Sequence, residues 1–154
     1  MANGTVVSIY ITAVAAGQPA PVDEARAVEG KGLEGDRYFL QKGTYSDQPG
    51  PDREVTLIET EAIESLERDY GLKIDAGDAR RNVITRGVPL NDLVGREFRV
   101  GDVAMRGIRL CEPCAHLAKL TDDRALRGLV HRGGLRAQIL SGGMIRVGDI
   151  ISEA

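Results

Sequence analysis

Cys111 and Cys114, in the run Cys-Glu-Pro-Cys, are the residues of this chain best suited to chemistry. Their spacing admits four readings. A redox pair would lie at a helix N-terminus behind a strand, where a thiolate is favoured; residues 107–110 would be that strand and residues 114–120 a short helix. A structural zinc site needs four ligands, here Cys111, Cys114 and His131 with His116 as the fourth. Two buried cysteines acting as small hydrophobes are the third reading, and a thiolate ligand to a soft metal is the fourth. Arg109, two residues before Cys111, brings a charge able to lower a nearby thiol pKa. The turn after Pro113 would add backbone N–H groups beside Cys114.

Arginines supply the second signal. In Arg80-Arg81-Asn82 and on to Arg86, strand alternation points Arg80 and Asn82 one way and Arg81 the other. One face then offers a guanidinium, with paired N–H donors, to an anion such as phosphate. The alternative is a solvated face paired with Asp75, Asp78 or Asp92. Arg37 follows Asp36 in a Gly-Asp-Arg turn, where an arginine is by default a surface residue. His131 opens His-Arg-Gly-Gly, and a lone histidine near a helix end is ordinarily a cap.

Residues 30–35, Gly-Lys-Gly-Leu-Glu-Gly, spell the G-x-G-x-x-G of a dinucleotide loop. That loop works only between a strand and a helix whose N-terminus holds the pyrophosphate. Here Gly43, Pro49, Gly50 and Pro51 follow closely, and no crossover helix fits. The glycines are expected in tight turns instead.

These groups must be positioned by one domain, expected over residues 1–154. The chain has 154 residues, 42% hydrophobic and 28% charged, with a net charge of −3. That balance is ordinary for a globular protein and leaves no basic footprint for nucleic acid. No apolar run reaches membrane length and no signal-peptide pattern opens the sequence, so a cytoplasmic location without membrane association is expected. The 19 glycines and 4% aromatics suit short strands joined by tight turns.

Apolar, β-branched runs predict strands over 5–15, 25–28, 54–58 and 82–85. Two more are expected within 96–110 around Gly101-Asp102, and two or three within 136–152 around Gly142-Gly143. Ile63, Leu66 and Tyr70 at helical spacing, with Gly71 as C-cap, predict a helix over 59–70. A second helix is expected over 122–130. Residues 41–52 read as a mobile surface loop. Phe-Arg-Val-Gly-Asp-Val (98–103) echoes Ile-Arg-Val-Gly-Asp-Ile (145–150), and both are expected as hairpin turns at a barrel rim. The fold class is therefore mainly β with a few short helices, a mixed β-barrel.

The order of motifs resembles the MOSC domain, named after the C-terminal domain of molybdenum cofactor sulfurase. Val-Glu-Gly-Lys-Gly-Leu-Glu-Gly-Asp-Arg-Tyr-Phe (28–39) resembles the family's N-terminal signature. Residues 53–66 resemble its strand-to-helix segment, and residues 78–102 its Arg-Asn strand. Residues 108–117 resemble its cysteine segment, and residues 133–149 its closing Gly-Gly and Val-Gly-Asp turns. Tyr38 departs from the pattern, since many members carry histidine after Gly-Asp-Arg.

The resemblance implies a MOSC-type barrel and a molybdenum–pterin cofactor. It implies Cys114 as the functional sulfur and metal ligand, with Cys111 as a neighbour able to resolve a persulfide or sulfenic acid. It also implies cofactor contacts from Asp36, Arg37, Arg81 and Asn82, with Arg109 nearby. The activities it suggests are reduction of N-hydroxylated compounds and sulfur delivery. The alternative is a non-catalytic binding module completed by a partner protein. That reading is favoured by the absence, in this sequence, of the companion domains that accompany MOSC in reductases and sulfurases. Pyridoxal phosphate enters only through those sulfurases, and Lys31, Lys42, Lys73 and Lys119 show no Schiff-base context.

Overall fold

The computed structural model describes residues 3–14, 17–40, 50–112, 124 and 128–153. Strands β1 (Gly4–Ile11), β2 (Ala20–Val22), β3 (Glu24–Val28) and β4 (Gly32–Leu33) come first. After them come β5 (Val55–Glu59), helix α1 (Thr60–Tyr70), β6 (Val83–Arg86), β7 (Glu97–Val100) and β8 (Val103–Leu110). The described chain closes with β9 (Leu135–Ser141), β10 (Gly143–Arg146) and β11 (Ile150–Glu153). Single turns of 3-10 helix cover Ala76–Ala79 and Leu90–Leu93.

Hydrogen bonding runs in the order β11-β7-β8-β9-β5-β6-β1, and β1 pairs again with β11, which closes a seven-stranded barrel. The only parallel pair named among the described strands is β5–β6, spanned by α1. Strand β2 extends the sheet beyond β1, and β10-β3-β4 form a separate small sheet.

Alternation fills the barrel. Val6, Ile9, Val55, Leu57, Val83, Phe98, Val100, Met105, Leu135, Ala137 and Ile151 form its interior cluster. A packed apolar lumen of this kind leaves no channel. A second cluster, with Ile58, Ile63, Leu66, Ile84 and Leu129, lies under α1 on the outer wall. The helix ends as its sequence requires: Gly71 takes the left-handed conformation (φ 66°), its N–H bonding Glu67 O at 3.0 Å.

The glycine run at 30–35 holds no nucleotide loop. Gly30, Gly32 and Gly35 take φ of 72°, 128° and 88°, conformations that let the chain turn through β4 into Gly-Asp-Arg. The echoed Val-Gly-Asp turns lie side by side, with Gly101 N–H bonding Ile150 O at 2.9 Å. Only the first makes a hairpin, β7 to β8. The second leads from β10 in the small sheet to β11 in the barrel, so the hairpin expectation fails there. Most of the expected 122–130 helix, and residues 41–49 of the expected mobile loop, lie outside the described residues.

Candidate functional site

On β5, Val55 and Leu57 face the lumen, so Thr56 faces outward beside the second cluster. A polar network begins there. Asn82 Oδ1 accepts from Thr56 N at 3.1 Å and Thr56 Oγ1 at 3.2 Å. Its Nδ2 donates to Tyr10 O at 3.1 Å and Asp36 Oδ1 at 3.2 Å. The amide's capacity is thereby filled within the protein. Asn82 ties β1, β5 and the Gly-Asp-Arg turn together.

Asp36 is wholly buried, and a buried carboxylate needs donors. It has them: Thr12 N at 2.9 Å, Tyr38 N at 3.3 Å and Arg37 Nη1 at 3.4 Å, besides Asn82. This fixes the direction of Arg37, whose guanidinium lies 4.8 Å over the Tyr38 ring.

Arg81 has a different task. Its Nε donates to Gly133 O at 2.7 Å, Nη2 to Cys111 O at 3.1 Å and Nη1 to Ala79 O at 3.4 Å. Cys111 N donates to Gly134 O at 2.7 Å. Arg81 therefore holds the end of β8 against the start of β9. Beside it Arg80, ending the 3-10 turn, is left-handed (φ 60°), a costly conformation for a residue with a side chain. Its guanidinium is half-buried and makes no hydrogen bond or ion pair among the described residues. Burial, and after it the charge of Arg37, hold its pKa below the ordinary arginine value, with Arg81 adding to that and Asp78 opposing.

Arg136 went unassigned by sequence. Arg109 and Arg136 are ladder partners, as are Leu110 and Leu135. Alternation therefore puts Cys111, Arg109 and Arg136 on one face. Arg136 is 8% exposed and donates to Asp52 O at 3.2 Å. Burial works to lower its pKa, but Cys111, Tyr38 and Asp52 outweigh that and raise it. The available signal was a charged residue inside an apolar strand that lies opposite Arg109.

Arg109, expected beside the thiol, turns to Asp52, its Nε 2.8 Å from Oδ2. Burial works to raise the Asp52 pKa, yet the Arg109 hydrogen bond and the Arg53 charge hold it below the usual carboxylate range. Cys111 is 2% exposed. Cys114 and His116 lie outside the described residues. His131, named as a zinc ligand or cap, turns Nδ1 to Glu112 Oε2 at 2.9 Å. Among the described residues, no three His, Cys, Asp or Glu side chains are grouped to hold a metal.

The site thus joins Asp36, Arg37, Arg81, Asn82 and Cys111 from the expected set with Tyr38, Arg80 and Arg136, on the outer wall of a closed mixed barrel. The MOSC domain matches residues 44–152 of this sequence. The chain belongs to the MOSC domain family.

Solved structures agree with this MOSC fold. The YuaD protein of Bacillus subtilis superposes with a TM-score of 0.81 at 16% identity, over 100% of both chains. YiiM of Geobacillus stearothermophilus gives 0.75 at 17% identity, over 98% of this chain and 75% of its own. YiiM of Escherichia coli gives 0.66 at 20% identity, over 100% and 70%. No curated protein matches the sequence. No helix among the described residues is long and apolar enough to cross a membrane.

Proposed function

We propose that this MOSC domain binds the anionic end of a molybdenum–pterin cofactor on the outer wall of its barrel, with Cys114 as the metal's thiolate ligand and Cys111 as the neighbouring thiol. The observation that carries this reading is the convergence of Arg37, Arg80, Arg81 and Arg136 about Tyr38 and Cys111. The carboxylate within that group, Asp36, is already surrounded by donors, so the cluster stays positive and fits an anion. A cofactor of this kind supplies two-electron redox chemistry, and reduction of N-hydroxylated compounds is the activity the family suggests.

Each residue then has a task. Arg37 and Arg80 present N–H donors to the anion. Asp36 and Asn82 hold Arg37 in place. Arg81 fixes the backbone of Cys111, three residues before Cys114, and Arg109 steadies Asp52 against Arg136. A cytoplasmic location belongs to this reading, since a C-x-x-C thiol pair stays reduced in that compartment. Pyridoxal phosphate has less support: Lys31 lies 6.0 Å from the Phe39 ring centre and Lys73 is exposed.

Elemental analysis of the protein purified from its own host, paired with binding of a phosphorylated pterin, tests the reading. Molybdenum near one per chain is expected, lost in Cys114→Ser. Arg80→Ala should weaken pterin binding by about 1.5–3 kcal/mol, the range for hydrogen bonds to charged groups. Unchanged pterin affinity would remove Arg80 from the site. Zinc in place of molybdenum would overturn the reading, and molybdenum found only with a co-purifying protein would favour the partner-completed module.

A further inference from the structure

The cysteine segment is tied to both ends of the His-Arg-Gly-Gly turn. At one end Cys111 N donates to Gly134 O at 2.7 Å. At the other, the Glu112 carboxylate takes two groups of one residue: His131 N donates to Oε1 at 2.7 Å, and His131 Nδ1 lies 2.9 Å from Oε2. Arg81 bridges the same pieces through Gly133 O and Cys111 O. His131 is also a backbone exception, since it and Arg80 are the described residues other than glycine with positive φ, here 59°. A side chain in that conformation is strained and persists only where its surroundings hold it. Glu112 holds the N–H and the ring, and Asn91 Nδ2 donates to the carbonyl at 2.9 Å.

We propose that Glu112 and His131 are positioning residues, a latch that keeps the cysteine segment on this turn and the Cys111 thiol covered, so that chemistry at Cys111 waits on its opening. The proposal rests on the place the reading above gives Cys111, but not on a bound metal. The His131 side chain is 75% exposed, and an ion pair so open to water adds little to overall stability. Its effect is local. Glu112 adjoins Cys111, whose thiol is buried, and a reagent reaches that thiol only when the segment lifts from the turn. Strain at His131 favours that lifting, and the two carboxylate contacts oppose it.

Alkylation of Cys111 by iodoacetamide, in a Cys114→Ser chain and read by mass spectrometry, tests the latch. Amide hydrogen exchange at Cys111 and a urea unfolding curve accompany it. Glu112→Ala should speed both alkylation and exchange at Cys111 about tenfold, with the urea midpoint near that of the parent. Glu112→Gln keeps an oxygen for the His131 N–H and should stay within about twofold of the parent. Glycine is at ease at this φ, so His131→Gly, which keeps the N–H, should stay close to the parent rate. His131→Ala keeps the strain without the ring and should react severalfold faster. Alkylation of Glu112→Ala at the parent rate would overturn the latch, as would acceleration accompanied by a fall in global stability large enough to account for it. These rate changes in a chain that binds no molybdenum would overturn the metal reading and leave the latch standing.

Discussion

Asn82 stands in a sequence context that points to a ligand, yet its amide is spent on the protein. Its neighbours explain why: Thr56 N, Tyr10 O and Asp36 are all buried polar groups beside it, and one amide serves them together. Asn82→Ala would strand these partners, and urea denaturation should show a loss of about 2–4 kcal/mol. Asn91→Ala removes an amide that reaches His131 O from an exposed position, and should change stability by no more than about 0.5 kcal/mol. Arg81 offers a similar lesson. The double arginine was legible as a cationic stretch, but which guanidinium turns inward depends on backbone carbonyls at Cys111 and Gly133, remote in sequence. No local pattern reports that.

At the scale of elements, the strands with clean alternation and the capped helix were readable, because both sets of periods are local. The strands β2 and β4 were not, having three and two residues, too few to show a period. Their pairing comes from β1 and β3. The join between β8 and β9 at the site depends on Gly134, whose φ is 112° and where a Cβ would run into Leu57 O. Gly134→Ala should therefore cost more than about 3 kcal/mol and disturb the Cys111 backbone bonded to it. Gly71→Ala, left-handed but with open space around it, should cost only about 1 kcal/mol. Chemical denaturation of the two variants side by side checks the contrast.

Across the whole molecule, buried and paired carboxylates give stability an opposed response to acid. Burial, though opposed by the Ile139 N–H, pushes the Glu54 carboxyl above its ordinary value. The folded state then binds that proton more readily than the unfolded chain. The contribution of Glu54 is present in acid and lost as pH rises through its raised pKa. Glu54→Gln keeps an acceptor for Ile139 and cannot ionise, so it should gain in melting temperature over wild type more at pH 7 than at pH 4. Asp52, held low by Arg109 and Arg53 against its burial, carries the reverse sign. Asp52→Asn should lose more at pH 7 than at pH 4. The barrel's closing seam, Gly4 with Ile151 and Thr5 with Ile150, has a consequence for biosynthesis. Until β11 has emerged from the ribosome, β1 and β7 each keep an open hydrogen-bonding edge on a nascent chain that already displays its apolar strands. Joining such distant segments carries a large loop-closure entropy and places folding among the slower, millisecond-to-second class. Those unpaired edges are templates for pairing with other chains in that interval. The newly made protein is therefore exposed to aggregation up to the moment β11 docks.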